Sequence, residues 1–302
     1  MNQRFVNLKQ SKGNFFTDID NNVVLDLDCP MPLGYNSDRL VYNRMGTNAY
    51  DAHQQGRADV TNLPPADYVD MLRELVMPIA PTGATQVHLA DDRCSANEQA
   101  LSVALFKYAV QHKRNYKSLS VMGFSNGSHG NSVAGLSCSD VQEKAYDWPT
   151  APLPNVQYPF NHFERDNTAE EDRCIEAAKQ IINQRRADGR DVGAIIIEPI
   201  TANGYRQAAP SYYKKLRKVA ADEGIPFIVD ETTIGMGVSG KMWSHEYWYL
   251  SEKDGGCADM VTFSGNTGIS GFFSTTDYRT DPMCCAFDQN VDLVKLINFG
   301  EV

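Results

Sequence analysis

The 302-residue sequence has no long hydrophobic run, and none approaches the roughly 18 apolar residues that a helix needs to span a bilayer. It also has no excess of basic residues. Its 28 Lys and Arg against 38 Asp and Glu give a formal net charge of −10, which repels phosphate backbones and anionic lipid headgroups. A membrane span, a membrane surface and nucleic acid are therefore excluded as first interpretations. The hydrophobic fraction of 42% is that of a globular protein with a large core.

Cysteines are few and unpatterned. There are seven, an odd number, with no C-x-x-C pair and no group of Cys and His at metal-ligand spacing. We therefore predict a reducing compartment and no bound metal. The adjacent Cys284 and Cys285 leave two interpretations open, a redox element or two small hydrophobic residues packed under a loop.

Short apolar runs alternate with helical patterns, and this order predicts an α/β fold with a mainly parallel sheet and helices on both faces. The predicted strands are residues 86–89, 119–124, 194–197, 226–230 and 260–263. Apolar residues recur with the helical period over 68–76 and 101–109, which predicts two helices facing the core. Ser95 and Thr168 each precede a glutamate by three residues, a spacing that predicts capping boxes at two helix starts.

The chain has no internal repeat, low-complexity tract or Gly- and Ser-rich linker, so we predict one large domain over residues 1–302. Residues 139–167 follow neither the helical nor the strand period and contain four prolines. This stretch is predicted to be a long ordered excursion across the surface of the domain.

Polar side chains follow three of the predicted strands, where parallel α/β sheets place their chemistry. Glu198 follows one strand, Asp230 ends the next, and His129 lies in the loop after a third. Asp230 has two interpretations: a carboxylate that holds a protonated ring nitrogen, or an acid satisfied by a helix N-terminus. His129 is either a base or a hydrogen-bonded structural residue.

A series of motifs runs in order along almost the whole chain. They include Gly13-Asn14-Phe15-Phe16-Thr17-Asp18, Pro32-Leu33-Gly34, Asn97-Glu98, His129-Gly130, Glu198-Pro199-Ile200, Val229-Asp230-Glu231 and Phe263-Ser264. Together they resemble the motifs of the class III pyridoxal-phosphate-dependent aminotransferases, in particular the eukaryotic mitochondrial 4-aminobutyrate aminotransferases.

This resemblance implies the large domain of a fold type I pyridoxal-phosphate-dependent transferase. Residues 1–60 then form the entry segment, 61–282 the core, and 283–302 a remnant leading to a C-terminal small domain that we expect to be missing. The resemblance also implies a mitochondrial location, on the matrix side.

The resemblance shows a change at the reactive centre. The family joins its cofactor to a lysine in a motif resembling D-x-x-x-F-S-K-K, and here the motif starts at Asp259 and places Gly265 or Asn266 at the lysine position. Neither residue has an amine to hold the cofactor or to move a proton. We therefore predict no catalytic residue. Lys253 lies before the predicted strand 260–263 and Lys295 far past the site, so neither is expected to replace that lysine.

Other cofactor positions are changed as well. By resemblance, Arg93 and Cys94 replace a Gly-Ser pair at the helix N-terminus that receives the cofactor phosphate. Ser128 replaces an aromatic residue that stacks on the pyridine ring, and Thr233 replaces the partner of the ring's 3′-oxygen. The vestigial cofactor-binding residues are thus Asp230, Arg93, Cys94, Ser128, His129 and Thr233.

The positions that bind the substrate in the family are changed as well. Asn131 replaces the arginine that binds the substrate carboxylate, and Asn203 replaces the second acid of the E-P-I-x-x-E pattern. Because Asp91 and Asp92 precede the phosphate-binding helix, we expect these acids to cap it themselves.

Two functions follow from these observations. The first is a pseudoenzyme derived from 4-aminobutyrate aminotransferase that serves as a structural subunit of a larger assembly, with no cofactor expected. The alternative is an active pyridoxal-phosphate-dependent transaminase whose site is unusual or completed by another chain. A sensor that binds ligand at Asp230 and His129 without turnover is a third possibility.

The predicted partners are other protein subunits, including a second copy of this chain or an aminotransferase-like paralogue. The predicted contact residues are apolar side chains near the two ends of the sequence: Phe5, Val6, Phe15, Phe16, Phe287, Leu293, Leu296, Ile297 and Phe299. The alternative is that these segments fold back to cover their own domain.

Overall fold

Strands and helices alternate along the chain in the computed structural model, which describes residues 5–27, 34–35, 64–154, 167–265, 268–279, 295–296 and 299–300. The strands are β1 (Phe15–Thr17), β2 (Val23–Leu25), β3 (Gln86–Ala90), β4 (Ser120–Phe124), β5 (Thr150–Ala151), β6 (Val192–Ile197), β7 (Phe227–Asp230), β8 (Met260–Phe263) and β9 (Ser270–Ser274). The α-helices are α1 (Tyr68–Met71), α2 (Arg93–His112), α3 (Val133–Cys138), α4 (Thr168–Ala187) and α5 (Pro210–Glu223). A π-helical turn, Leu72–Val76, continues α1.

Seven of these strands form one sheet in the order β3-β9-β8-β7-β6-β4-β5. The pairs from β5 through β4, β6 and β7 to β8 are parallel, and β9 runs antiparallel to both β8 and β3. Every residue of β4, β6, β7, β8 and β9 is buried. Since side chains alternate between the two faces of a strand, both faces of the sheet are covered, as the predicted fold class requires.

Helix α2 packs along the centre of the sheet and positions much of the site. Asp92 is its N-cap, with Oδ1 accepting a hydrogen bond from the backbone N–H of Ser95 at 2.8 Å. The predicted acidic cap is therefore confirmed, and the predicted capping box at Ser95 is wrong because the N-cap lies three residues earlier, at Asp92. The box predicted at Thr168 is also wrong, since Asn167 precedes α4 and makes no side-chain cap.

A buried ion pair joins α5 to the start of β8. The Arg217 guanidinium donates to both carboxylate oxygens of Asp259, at 3.2 and 3.1 Å, and the backbone N–H of Phe227 donates to Asp259 at 2.8 Å. Asp259, the first residue of the motif that contains the lysine position in the family, thus ties a helix and two strands together.

The two ends of the described chain differ in exposure. Phe5, Val6 and Phe15 are exposed, as the predicted contact surface requires. Leu296 is fully buried in the core, so it is wrong as a predicted contact residue, and its side chain covers its own domain as in the alternative. Phe299 is half-buried and packs against that core, and its role as a contact residue stays a prediction. Phe287, Leu293, Ile297, Cys284 and Cys285 lie outside the described residues.

No helix in the described ranges is long and apolar enough to cross a bilayer. The predicted excursion over 139–167 is described only to residue 154, and apart from the two residues of β5 it contains no helix or strand there.

Candidate functional site

Asp230 lies at the carboxyl end of β7, in the middle of the sheet, and is only 1% exposed. Its Oδ2 accepts hydrogen bonds from Asn97 Nδ2 at 2.9 Å and from His129 Nδ1 at 2.8 Å. Its Oδ1 accepts from the backbone N–H and the hydroxyl of Thr232 and, at 3.4 Å, from the hydroxyl of Thr262. Burial alone would raise the pKa of Asp230, but the hydrogen bond and charge of His129, with Arg93 and Thr232, lower the pKa to about 2. Asp230 is therefore a buried, ionised acceptor satisfied by side chains rather than by a helix N-terminus.

His129 is held rigidly against Asp230. Its backbone N–H donates to Ser139 Oγ at 2.8 Å, and its carbonyl accepts from Asn97 at 3.0 Å. Because Asp230 is ionised, Nδ1 carries the proton that the two share. The other ring nitrogen, Nε2, is buried without a hydrogen-bond partner in the structure. His129 is thus a positioning partner of Asp230.

Glu198 directly follows β6 and is buried beside this pair. Its Oε2 accepts from the backbone N–H groups of Ser128 and Ala202, at 2.9 and 3.1 Å. Burial raises the pKa of Glu198 to about 7, an effect that the charge of His129 opposes and that of Asp230 reinforces. The carboxyl group therefore changes its charge near neutral pH.

The raised pKa of Glu198 gives an expected pH dependence of stability. From its ordinary pKa of 4.5 to about 7, the folded chain holds the Glu198 proton more tightly than the unfolded chain does. The free energy of unfolding should therefore fall by roughly 2–3 kcal/mol as pH rises through that window. Glu198→Gln should remove this part of the slope, measured by urea unfolding at several pH values. The exposed Glu176→Gln is the control, and identical slopes for all three proteins would contradict the assignment.

Arg93 and Cys94, the first two residues of α2, contact the loop that carries His129. Arg93 Nη2 donates to the carbonyl of Ser128 and lies 3.6 Å from Glu198 Oε1. Cys94 Sγ accepts from the backbone N–H of Asn131 at 3.4 Å. The start of α2 and residues 128–131 are therefore joined by two separate contacts.

The predicted site residues divide into those that the structure brings together and those that lie apart. Arg93, Ser128, His129 and Asp230 form one connected group, with Cys94 and Asn131 beside it. Thr233 and Asn203 are exposed, and Asn203 is held through its backbone, which donates to the Asn126 carbonyl and accepts from the Thr201 hydroxyl. Sequence reasoning missed the role of Asn97, although the Asn97-Glu98 motif was a signal for it, and it did not place the Thr232 hydroxyl on Asp230.

At the lysine position, Gly265 follows β8 with φ at +100°, a conformation that strains any residue with a side chain. Asn266 lies outside the described residues. The prediction that Lys295 is too distant is wrong in one respect. Its ammonium donates to the carbonyl of Asp91 at 3.2 Å, beside the start of α2. An amine therefore lies at the phosphate end of the candidate site.

Comparison with known proteins agrees with this architecture. A family model described as aminotransferase class III matches residues 1–288, so the chain belongs to the class III aminotransferase family. It is 32% identical to the mitochondrial 4-aminobutyrate aminotransferase of Mus musculus and to the 4-aminobutyrate aminotransferase of Dictyostelium discoideum. Each match covers 91% of this chain and 60% of the relative, so the chain spans about three fifths of the length of these relatives.

Solved structures show the same fold. A lysine aminotransferase from M. tuberculosis in the internal aldimine form superposes with a TM-score of 0.80, at 18% identity, covering 98% of this chain and 71% of that one. An amine transaminase from an uncultivated Pseudomonas species in the PLP-bound form superposes with a TM-score of 0.75, at 18% identity, covering 99% and 69%. The prediction that no cofactor is expected is therefore wrong, since family membership indicates dependence on pyridoxal phosphate.

The residues present fit one end of that cofactor better than the other. Asp230 is buried and ionised, as an acceptor for a protonated pyridine nitrogen must be, although a ligand N–H would have to share Oδ1 with the N–H and hydroxyl of Thr232 and the hydroxyl of Thr262. At the phosphate end, the backbone N–H of Ser95 already donates to the Asp92 carboxylate. The part of the site around Asp230 therefore fits the ring nitrogen of pyridoxal phosphate. The part at the start of α2, where the resemblance places the phosphate, is altered.

Proposed function

We propose that this chain is a 4-aminobutyrate-aminotransferase-like protein that binds pyridoxal phosphate at Asp230 without a covalent bond and does not catalyse transamination alone. The observation that carries the proposal is the pairing of an intact Asp230–His129 acceptor with glycine and asparagine at the lysine position. Asp230 would bind the ring nitrogen, and His129 and Asn97 would hold the carboxylate in place. The cofactor supplies an electron sink when bound.

The absence of an amine at positions 265 and 266 is what supports the non-catalytic part of the proposal. In transamination an amine must hold the cofactor and shuttle a proton, and these roles act as a unit with the groups that bind the phosphate and the substrate. Asn131 and Asn203 offer no cation to a substrate carboxylate. The residues that would supply the amine and those that would bind the substrate carboxylate are therefore changed in the same chain.

A second candidate function is an active transaminase of the 4-aminobutyrate type. It is favoured by the relatives, which carry that name, and by the position of the Lys295 ammonium beside the start of α2. If the chain is an active transaminase, Lys295 or a lysine of another chain supplies the amine that holds the cofactor.

Exposed apolar side chains support a role as a subunit. Around the hairpin of β1 and β2, eight large apolar residues are exposed: Phe5, Val6, Leu8, Phe15, Ile19, Val23, Leu25 and Leu27. A cluster of this kind marks an interaction surface. We propose that a second copy of this chain or an aminotransferase-like paralogue covers it. Size-exclusion chromatography at micromolar concentration tests this, and a stable monomer would count against it.

A mitochondrial location is also proposed, because the 4-aminobutyrate aminotransferases of Mus musculus, Rattus norvegicus and Homo sapiens that match this chain are mitochondrial proteins. Fractionation of cells that express the full-length protein tests the location, and recovery outside mitochondria would contradict it.

The proposed function is tested by two assays on the same protein. Titration with pyridoxal phosphate, followed by absorbance, should show saturable binding that dialysis reverses. Transamination of 4-aminobutyrate, followed by product formation, should stay at the level of the buffer control. Turnover that Lys295→Gln abolishes would establish the second candidate instead, and a lack of saturable binding would overturn both.

A further inference from the structure

Resting on the proposed function, we infer that Arg93 and Cys94 close the phosphate end of the site, so that it recognises the pyridine ring of its ligand and gains little from a 5′-phosphate. The ligand class is thus a protonated pyridine-type ring, with or without phosphate. We call the contacts of Arg93 and Cys94 with residues 128–131 the latch.

The latch spans the gap between the start of α2 and the His129 loop. Arg93 donates to the Ser128 carbonyl and lies within ion-pair range of Glu198, while Cys94 Sγ meets the Asn131 N–H. The fit is close, because a Cβ placed on Gly130 would lie only 2.9 Å from Cys94 Sγ. Side chains therefore fill this side of the helix start.

The groups that would attract a phosphate already have partners in the same chain. A helix start binds anions through free N–H groups and its positive dipole, but here the Asp92 carboxylate caps the N–H of Ser95 at 2.8 Å. The Arg93 guanidinium is turned inward to Ser128 and Glu198. The positive start of α2 and the positive charge of Arg93 are thus both neutralised by residues of the chain itself.

Binding a phosphate would require the latch to open. To make room, Arg93 would have to break its hydrogen bond to the Ser128 carbonyl and move away from the Glu198 carboxylate. A phosphate dianion would also approach the Asp92 carboxylate. The hydrogen bonds of the ring end do not involve the latch side chains, because Asp230 lies on β7 and accepts from Asn97, His129, Thr232 and Thr262.

The test compares pyridoxamine 5′-phosphate with pyridoxamine, two probes with the same ring and no aldehyde to react with surface lysines. Wild type should bind the two with dissociation constants within about threefold of each other. The double variant Arg93→Gly with Cys94→Ser, which removes both latch side chains, should bind the phosphorylated probe at least about tenfold more tightly than it binds pyridoxamine. Arg73→Gln, which changes an exposed arginine on the π-helical turn, is the matched control and should behave as wild type.

A second measurement uses a probe without a pyridine ring. Inorganic phosphate should raise the thermal stability of the double variant and leave that of wild type unchanged, because only the opened helix start has a place for it. A wild-type preference of more than about tenfold for the phosphorylated probe, or equal phosphate stabilisation of both proteins, would overturn the inference. If neither ring probe binds any of the proteins, the proposed function fails, and the phosphate measurement still decides whether the latch closes this end.

Discussion

Asp230→Asn should lower the affinity for pyridoxal phosphate by roughly 30- to 1,000-fold, the loss expected when one partner of a buried charge pair is neutralised at a cost of about 2–4 kcal/mol. The carboxylate is ionised because His129, Arg93 and Thr232 hold its pKa at about 2. An amide has no charge to offer a protonated ring nitrogen. Its oxygen can still accept from Thr232, so the loop keeps its shape. Absorbance titration of the purified variant measures the effect.

The control for this experiment is Asp222→Asn, which changes an exposed aspartate paired with Lys218. It should bind the cofactor as wild type does. Circular dichroism and thermal unfolding of Asp230→Asn separate a lost ligand contact from a lost fold. If the folded variant binds pyridoxal phosphate with wild-type affinity, the ring nitrogen is not held by Asp230 and the proposed site is wrong.

Asp259→Ala should lower the free energy of unfolding by about 3 kcal/mol, because it leaves the Arg217 guanidinium buried without its partner. The Arg217 side chain is 8% exposed and that of Asp259 is 15% exposed, so solvent replaces little of the lost interaction. The variant also leaves the backbone N–H of Phe227 without its acceptor at the start of β7. Urea unfolding at neutral pH measures the loss.

Two further variants make this stability prediction specific. Asp172→Ala, which removes an exposed partner of Lys215, should change the free energy of unfolding by less than about 0.5 kcal/mol. Arg217→Met in the Asp259→Ala background should recover part of the loss, since an apolar side chain is tolerated where an unpaired charge is not. Equal destabilisation by Asp259→Ala and Asp172→Ala would contradict the role given to the buried pair.

Five strands could be predicted from the sequence because their apolar, β-branched runs stand out between polar segments, and their parallel arrangement confirmed the expected fold class. β9 was missed because it reads Ser-Gly-Phe-Phe-Ser, in which small polar residues flank only two large apolar ones. Its antiparallel course between β3 and β8 is a tertiary property that local pattern does not contain. The start of α2 was misplaced because Asp92 and Ser95 both suit an N-cap and only the backbone shows which one serves.

The candidate site was partly predictable. Asp230 and His129 were identified from their positions after strands and from the family resemblance, but their shared partner Asn97 lies 133 residues before Asp230 on a helix. Lys295 was judged too distant from sequence separation alone, yet its ammonium reaches Asp91, 204 residues earlier. Contacts of this kind depend on how helices cross the sheet. The vestigial roles given to Cys94, Ser128, Asn131, Thr233 and Asn203 stay predictions.

The most direct test of the proposed function is reduction with borohydride after loading with pyridoxal phosphate, followed by mass spectrometry of the intact chain and its peptides. Reduction makes any bond between the cofactor and a lysine permanent. Non-covalent binding through Asp230 predicts saturable loading in solution and an intact chain without a stoichiometric adduct on any single lysine. One phosphopyridoxyl group per chain on one lysine, whether Lys295 or another, would contradict it and establish a covalent cofactor site.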